Sequence, residues 1–247
     1  MDLCGRSMLG RVVDRVKACQ HVDQIVIATT DSATDRMLVD YCEKQKWFCT
    51  VGSEQDVLDR YWQSANEYHA ARIVRITSDC PLLDPEIVDQ VIETMDADPT
   101  LDYACNFHPH RRYPRGLDCE VMTYDTLRRV HRSATTAEER EHVTLKIYRE
   151  PENFNIGGVS CESDLSLLRW TVDTKEDLSL VREIYSHFLR QLQNGESNLS
   201  RLETGNSESA EPLNKRATCF GWREILKAYP GHPEWLELNC NVNQKAA

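Results

Sequence analysis

Strand-like and helix-like patterns alternate through the first half of this chain, and that alternation narrows the fold more than any other feature. The run QIVIATTD (24–31) is β-branched and ends in Thr-Thr-Asp, and the segment after it repeats Met37, Leu38, Tyr41 and Cys42 at helical spacing. WFCTVG then reads as a short strand with a glycine turn, and SEQDVLDRYWQSANEYHA as a helix that Ser53 is placed to cap. ARIVRIT (71–77) is the next strand, and DPEIVDQVIETMDA a helix with Pro85 in its first turn. Ahead of them, Met8, Leu9, Val12, Val13 and Val16 form the apolar face of an amphipathic helix over 7–19. Such alternation predicts an α/β fold: a mostly parallel sheet with helices on both faces.

The second half is less regular. LDYACNF (101–107) and LDCEVMT (117–123) read as strands around a loop HPHRRYPRG, followed by a helix YDTLRRVHRSA. TTAEEREHVTLKIYRE is expected to be helical, with Thr135 or Thr136 and acidic residues at its start. FNIGGVS and LRWTVDT are further strand candidates, and KEDLSLVREIYSHFLRQL is a helix. The expected organisation is one α/β domain over 1–190, a disordered polar loop over 191–216, and a helical tail over 217–247 that docks back through its Trp and Leu residues.

Composition bounds the function. A formal net charge of -11 argues against a nucleic-acid partner, because phosphate contacts come mainly from clustered Lys and Arg. An acidic chain that handles phosphates would do so through a divalent metal. No apolar run approaches the roughly 20 residues that span a bilayer, and the N-terminus lacks the apolar core of a secretory signal, so no membrane partner is expected. The 10 cysteines are scattered without a CxxC pair, which favours reduced thiols and a cytoplasmic location over zinc or disulfides.

Two acids stand where α/β sheets gather their ligands. Asp79, in VRITSDCPLLDPEIVD, ends a strand on a corner stiffened by Pro81, and Asp173, in LRWTVDTKEDLSLV, has the same placement before a helix. Two strand-end carboxylates suit one Mg²⁺ shared with substrate phosphates. The same placement suits N-cap or turn aspartates, and spacing does not separate the two readings. In YPRGLDCEV, Gly116 permits a tight turn and Asp118 and Glu120 alternate onto one strand face; a substrate contact or an exposed salt-bridged edge both fit. Arg75 lies inside a strand, within reach of the site or of a pairing acid, and Arg60 suits a contact to substrate or nucleotide but is expected rather in a buried structural ion pair.

The blocks VDQIVIATTD (22–31), GSEQDVLDRY (52–61), VRITSDCPLLDPEIVD (74–89), YPRGLDCEV (113–121), EREHVT (139–144) and LRWTVDTKEDLSLVREIY (168–185) occur in an order that resembles the cytidylyltransferase-like family of spore-coat polysaccharide biosynthesis protein F, relatives of the CMP-Kdo and acylneuraminate cytidylyltransferases. The resemblance spans about residues 5 to 190 and the tail. It implies a nucleotide-diphospho-sugar transferase-like, Rossmann-like fold and transfer of a nucleotidyl group from CTP to an acidic or amino sugar with release of pyrophosphate. By similarity Asp79 and Asp173 match the metal aspartates and carry the catalysis, while Arg115, Asp118, Glu120, Arg140 and His142 are candidate substrate-binding residues. Arg140 and His142 equally suit a helix surface with ion pairs. The resemblance also implies a homodimer.

Members of this family normally begin with a strand and a loop of the type IIQARMGSTRLPGK, which cradles the nucleotide through backbone N–H groups and basic side chains. LCGRSMLGRVVDRV (3–16) matches the segment after that loop, so the first strand is expected to be missing, with Gly5 and Arg6 the remnant of the nucleotide-binding element. Besides a CTP-dependent transferase, a metal-dependent glycosyltransferase of related fold and a non-catalytic sugar-binding or interaction protein are consistent with the residues.

Overall fold

A computed structural model describes residues 1–193 and 220–242. Helix α1 (Met8–Val16) starts where Ser7 Oγ accepts the Gly10 N–H at 2.9 Å, and it buries Val12, Val13 and Val16. β1 (Val26–Thr30), α2 (Arg36–Gln45) and β2 (Phe48–Gly52) form a unit in which β1 and β2 pair in parallel, Val26 opposite Phe48. α3 (Val57–Glu67) is capped by Asp56, whose carboxylate accepts the Asp59 N–H at 2.9 Å; Ser53, the expected cap, lies upstream and accepts from the Gln55 N–H.

β3 (Arg72–Arg75) leads through a tight corner into α4 (Pro85–Ala97), with Asp84 as its cap and Pro85 in the first turn as expected. β4 (Tyr103–Cys105), β5 (Glu120–Thr123) and α5 (Tyr124–Ser133) follow. The single helix expected next is two short ones, α6 (Ala137–Glu141) and α7 (Leu145–Arg149), because the backbone between them turns through Val143 at a φ of +49°. A β-branched residue does not continue a helix there. Thr136 and Glu139 form a reciprocal capping box on α6. β6 (Ile156–Gly158) and the long α8 (Lys175–Gln193) complete the domain, and the tail supplies α9 (Trp222–Ala228) and α10 (Glu234–Leu238).

The strands form two sheets. One is the parallel pair β1–β2; the other has the order β3–β5–β4–β6. β4 and β6 run parallel, whereas β5 is antiparallel to both β3 and β4. The exception has a physical cause: no helix lies between β4 and β5, and without a crossover the chain returns antiparallel. Consequently the C-terminal ends of β3, β4 and β6 meet the start of β5 at one edge of the molecule. Ile73, Tyr103 and Met122 pack on one face against α3, α5 and α7, while Val74, Ala104 and Val121 pack on the other against α1 and α4. The described part of the tail docks on α8: Trp222, Ile225 and Trp235 join Leu180, Ile184 and Phe188 in a third cluster.

LRWTVDT is not a ladder strand. It is an extended stretch with an isolated parallel bridge between Arg115 and Arg169. The expected loop over 191–216 falls almost wholly outside the described residues. Among the described residues, no helix is long and apolar enough to cross a membrane and the nine cysteines are free.

Candidate active site

The extended stretch 168–172 is what assembles the site. Its Trp170 N–H donates to the Arg115 carbonyl at 2.7 Å, and its Val172 N–H donates to the Asp79 carbonyl at 2.8 Å. It therefore lies between the turn that follows β3 and the turn that precedes β5, and it brings Asp79, Arg115 and Asp173 to the same end of the sheet. Gly116 makes this closeness possible. Its φ is +103°, and a Cβ there would stand 2.5 Å from the Trp170 carbonyl carbon. Only glycine fits that backbone contact.

Acids and arginines interleave here. Arg111 holds Asp118 through both guanidinium NH groups, the longer contact being 3.1 Å. Buried Arg169 pairs with Asp173 and, at 2.9 and 3.0 Å, with the fully buried carboxylate of Asp177. Asp177 also accepts the N–H groups of Asp173 and Thr174; burial pushes its carboxyl up, but Arg169, Asn239 and the Asp173 N–H outweigh that and hold it below the usual range. Arg115 is half-buried; burial and then Arg111 lower its pKa, while Asp118 and Asp173 oppose the shift. The Cys80 thiol is pushed well above its ordinary value by burial and by Asp79 and Asp118, so it stays protonated and inert.

Asp79 is half-buried and receives only a weak contact from the Cys80 thiol at 3.4 Å. Asp173 is exposed on one side, 41%, with Arg169 on the other. Their hard carboxylate oxygens are the donor type that Mg²⁺ takes. Among the described residues no set of three or more His, Cys, Asp or Glu could enclose a metal. An ion held here would take two protein carboxylates and fill its shell with substrate oxygen and water, which fits this arrangement.

The remaining sequence candidates have other surroundings. Glu120, expected as a substrate contact, is 2% exposed and is spent on internal partners: Arg75 and the hydroxyls of Tyr103 (2.7 Å), Thr144 (2.6 Å) and Tyr148. The alternation placed it on one face with Asp118, but Tyr103, Thr144 and Tyr148 cover Glu120, while Asp118 lies before β5 and stays partly exposed. Arg140 pairs with Asp56 of α3 at 2.7 Å and donates to the His131 carbonyl, so it ties α6 to α3. His142 is exposed at the end of α6. Arg6 is held by Asp14 at 2.8 and 3.0 Å, and Gly5, with φ +78°, sits in the turn before α1. Arg60, expected in an ion pair, instead donates to the carbonyls of Ser53 and Glu54. Sequence reasoning missed Arg111 and Arg169. Neither lies at a periodic position, and only the folded loops reveal which acids they hold.

A layered α/β sheet with acids beside the ends of its strands is an architecture that nucleotidyltransferases share. The cytidylyltransferase family model matches residues 1–208, and the chain belongs to that family. It is 33% identical over 248 residues to the uncharacterized protein MJ1063 of Methanocaldococcus jannaschii, covering 100% of this chain and 89% of that one. It is 31% identical over 166 residues to the spore coat polysaccharide biosynthesis protein SpsF of Bacillus subtilis, covering 66% and 67%. A cytidylyltransferase from Leptospira borgpetersenii superposes with a TM-score of 0.80 at 23% identity, over 100% of this chain and 90% of that one. A CMP:2-keto-3-deoxy-manno-octonic acid synthetase complexed with CTP does so with a TM-score of 0.59 at 17% identity, over 76% and 90%. At these identities the structural likenesses speak to the fold.

Proposed function

We propose that this chain transfers the cytidylyl group of CTP to an acidic or amino sugar, for use in surface polysaccharide synthesis, with Asp79 and Asp173 as the metal-holding acids. The observation that carries this reading is the convergence of Asp79, Arg115 and Asp173 at one sheet end. The names of the spore-coat and keto-sugar relatives support the sugar class. In the reaction a sugar oxygen bonds to the α-phosphorus, the bond from that phosphorus to the bridging oxygen breaks, and pyrophosphate leaves as the sugar hydroxyl loses its proton to solvent. Bound Mg²⁺ would supply charge neutralisation at the phosphates. Arg115 would pair with a phosphate or with the carboxylate of an acidic sugar. Arg169 orients Asp173, and Asp177 fixes Arg169.

The test is pyrophosphate release from CTP with a panel of acidic and amino sugars, with and without Mg²⁺, for the native chain and for Asp79→Asn. Native turnover that needs Mg²⁺ and falls by about 100-fold in the variant is expected, the size typical of losing one electrostatic stabiliser. An unchanged rate in Asp79→Asn removes the metal assignment. Consumption of a nucleotide sugar without pyrophosphate release would instead mark a glycosyltransferase.

A further inference from the structure

Where the tail meets α8, a chain of hydrogen bonds runs through two histidines. Gln191 Nε2 meets His187 Nε2 at 3.0 Å, His187 Nδ1 meets His232 Nε2 at 2.9 Å, and His232 Nδ1 meets Glu234 Oε1 at 2.9 Å. The two ends of this chain fix its protons. An amide NH2 can only donate and an ionised carboxylate can only accept, so each ring accepts at Nε2 and donates at Nδ1. Both rings are therefore neutral, with one proton in every contact. Aromatic rings surround the pair: His232 stacks on buried Trp235 with centroids 4.3 Å apart, and His187 meets Trp235 and Phe188 edge-on at 5.6 and 4.9 Å.

The pair lies between contacts that the tail makes with the stretch 168–172. Before it in the chain, the Tyr229 hydroxyl accepts from Trp170 Nε1 at 2.8 Å; after it, Asn239 bonds the Arg169 carbonyl and Asp177. A further proton is not equally tolerated on the two rings. Glu234 stands beside His232 and balances a charge there. The charged or titratable groups facing His187 are His232 from the tail and Arg190 from α8, and both oppose a positive charge on it. A proton on His187 Nε2 would also take the lone pair that accepts from Gln191. Burial first, then His232 and Arg190, hold the His187 pKa below the ordinary 6.5.

We propose that the His187–His232 contact is an acid-released latch: the tail docks on α8 while His187 is neutral and lets go as that ring takes up a proton. An undocked His187 takes its proton near 6.5 and the docked ring only at lower pH. Docking is thus at full strength above 6.5 and weakens as pH falls below it. Any effect on turnover through 168–172 rests on the function proposed above, whereas the docking itself does not.

The experiment is amide hydrogen exchange on the full chain at about pH 7.5 and about pH 5.5, corrected for the intrinsic pH dependence of exchange. It compares the native protein with His187→Gln, which keeps an amide donor toward His232 and has no site for a proton. Native α9 and α10 amides should lose protection several-fold relative to those of α4, about tenfold per pH unit being the limit for one proton. In the variant their protection should be the same at both pH values. NMR titration of the native imidazoles gives a reading that needs no variant, with His187 expected to titrate below 6.5. The latch is overturned if native α9 and α10 protection ignores pH, if the pH response persists in His187→Gln, if α4 loses protection equally, or if His187 titrates at or above 6.5. These readouts do not involve turnover, so their failure is distinct from a failure of the nucleotidyl-transfer reading.

Discussion

Glu120 accepts from Arg75, Tyr103, Thr144 and Tyr148, and so gathers β3, β4 and α7 onto one buried carboxylate. Burial pushes its pKa up, but Arg75 and the hydroxyl donors outweigh that and hold it below the ordinary 4.5. A depressed folded-state pKa contributes stability that is fully present above the unfolded value and is lost as pH falls through the folded one. Glu120→Ala leaves Arg75 and the hydroxyls without their acceptor and should cost about 3–5 kcal/mol by urea denaturation at neutral pH. Glu120→Gln cannot ionise, so its stability should depend less on pH than the native chain's as pH falls below about 4.5. Equal acid sensitivity in both proteins would mean that other carboxylates govern acid unfolding.

At the scale of elements, the turn through Gly116 decides whether the strand-end acids meet. Gly116→Ala combines a positive φ with a clash against Trp170 backbone, and should destabilise by about 3 kcal/mol in denaturant titration. The clash falls where the 168–172 stretch joins Arg115 to Asp79. Nucleotidyl transfer should therefore drop more than the loss of folded protein accounts for. A variant that is destabilised yet fully active per folded molecule would detach this turn from the site.

The whole molecule ties its tail to the same site. Asn239, just past α10, donates through Nδ2 to the Arg169 carbonyl and to Asp177 Oδ1, both at 2.9 Å. The tail thus supports the pair that holds Asp173. Asn239→Ala removes two bonds to buried acceptors and should lower stability by about 2 kcal/mol. Because the loss falls on the support of Asp173, kcat should fall with the apparent Mg²⁺ requirement rising, while circular dichroism stays native. An unaltered Mg²⁺ dependence would make the tail a packing element only.

Much of this was legible in the sequence because it depends on local order. Period-3.6 and period-2 patterns located α1 to α5, α8 and β1 to β6, and the Asp-Pro pair marked the start of α4. The blocks around Asp79, Arg115 and Asp173 pointed to a nucleotidyltransferase of the cytidylyltransferase family, to which the chain belongs. Other features required the tertiary structure, since they depend on partners distant in the chain. β5 runs antiparallel because no crossover precedes it, and Tyr103, Thr144 and Tyr148 close over Glu120 at its start, away from the role its alternation suggested. Arg140 points to α3 and Arg6 to Asp14 because those acids are nearest in space. Sequence determined most of the strands and helices and which acids follow them; only packing decided that 168–172 is an extended stretch off the ladder and which acids share a cleft, since ion pairs form by distance and burial and neither has a period along the chain.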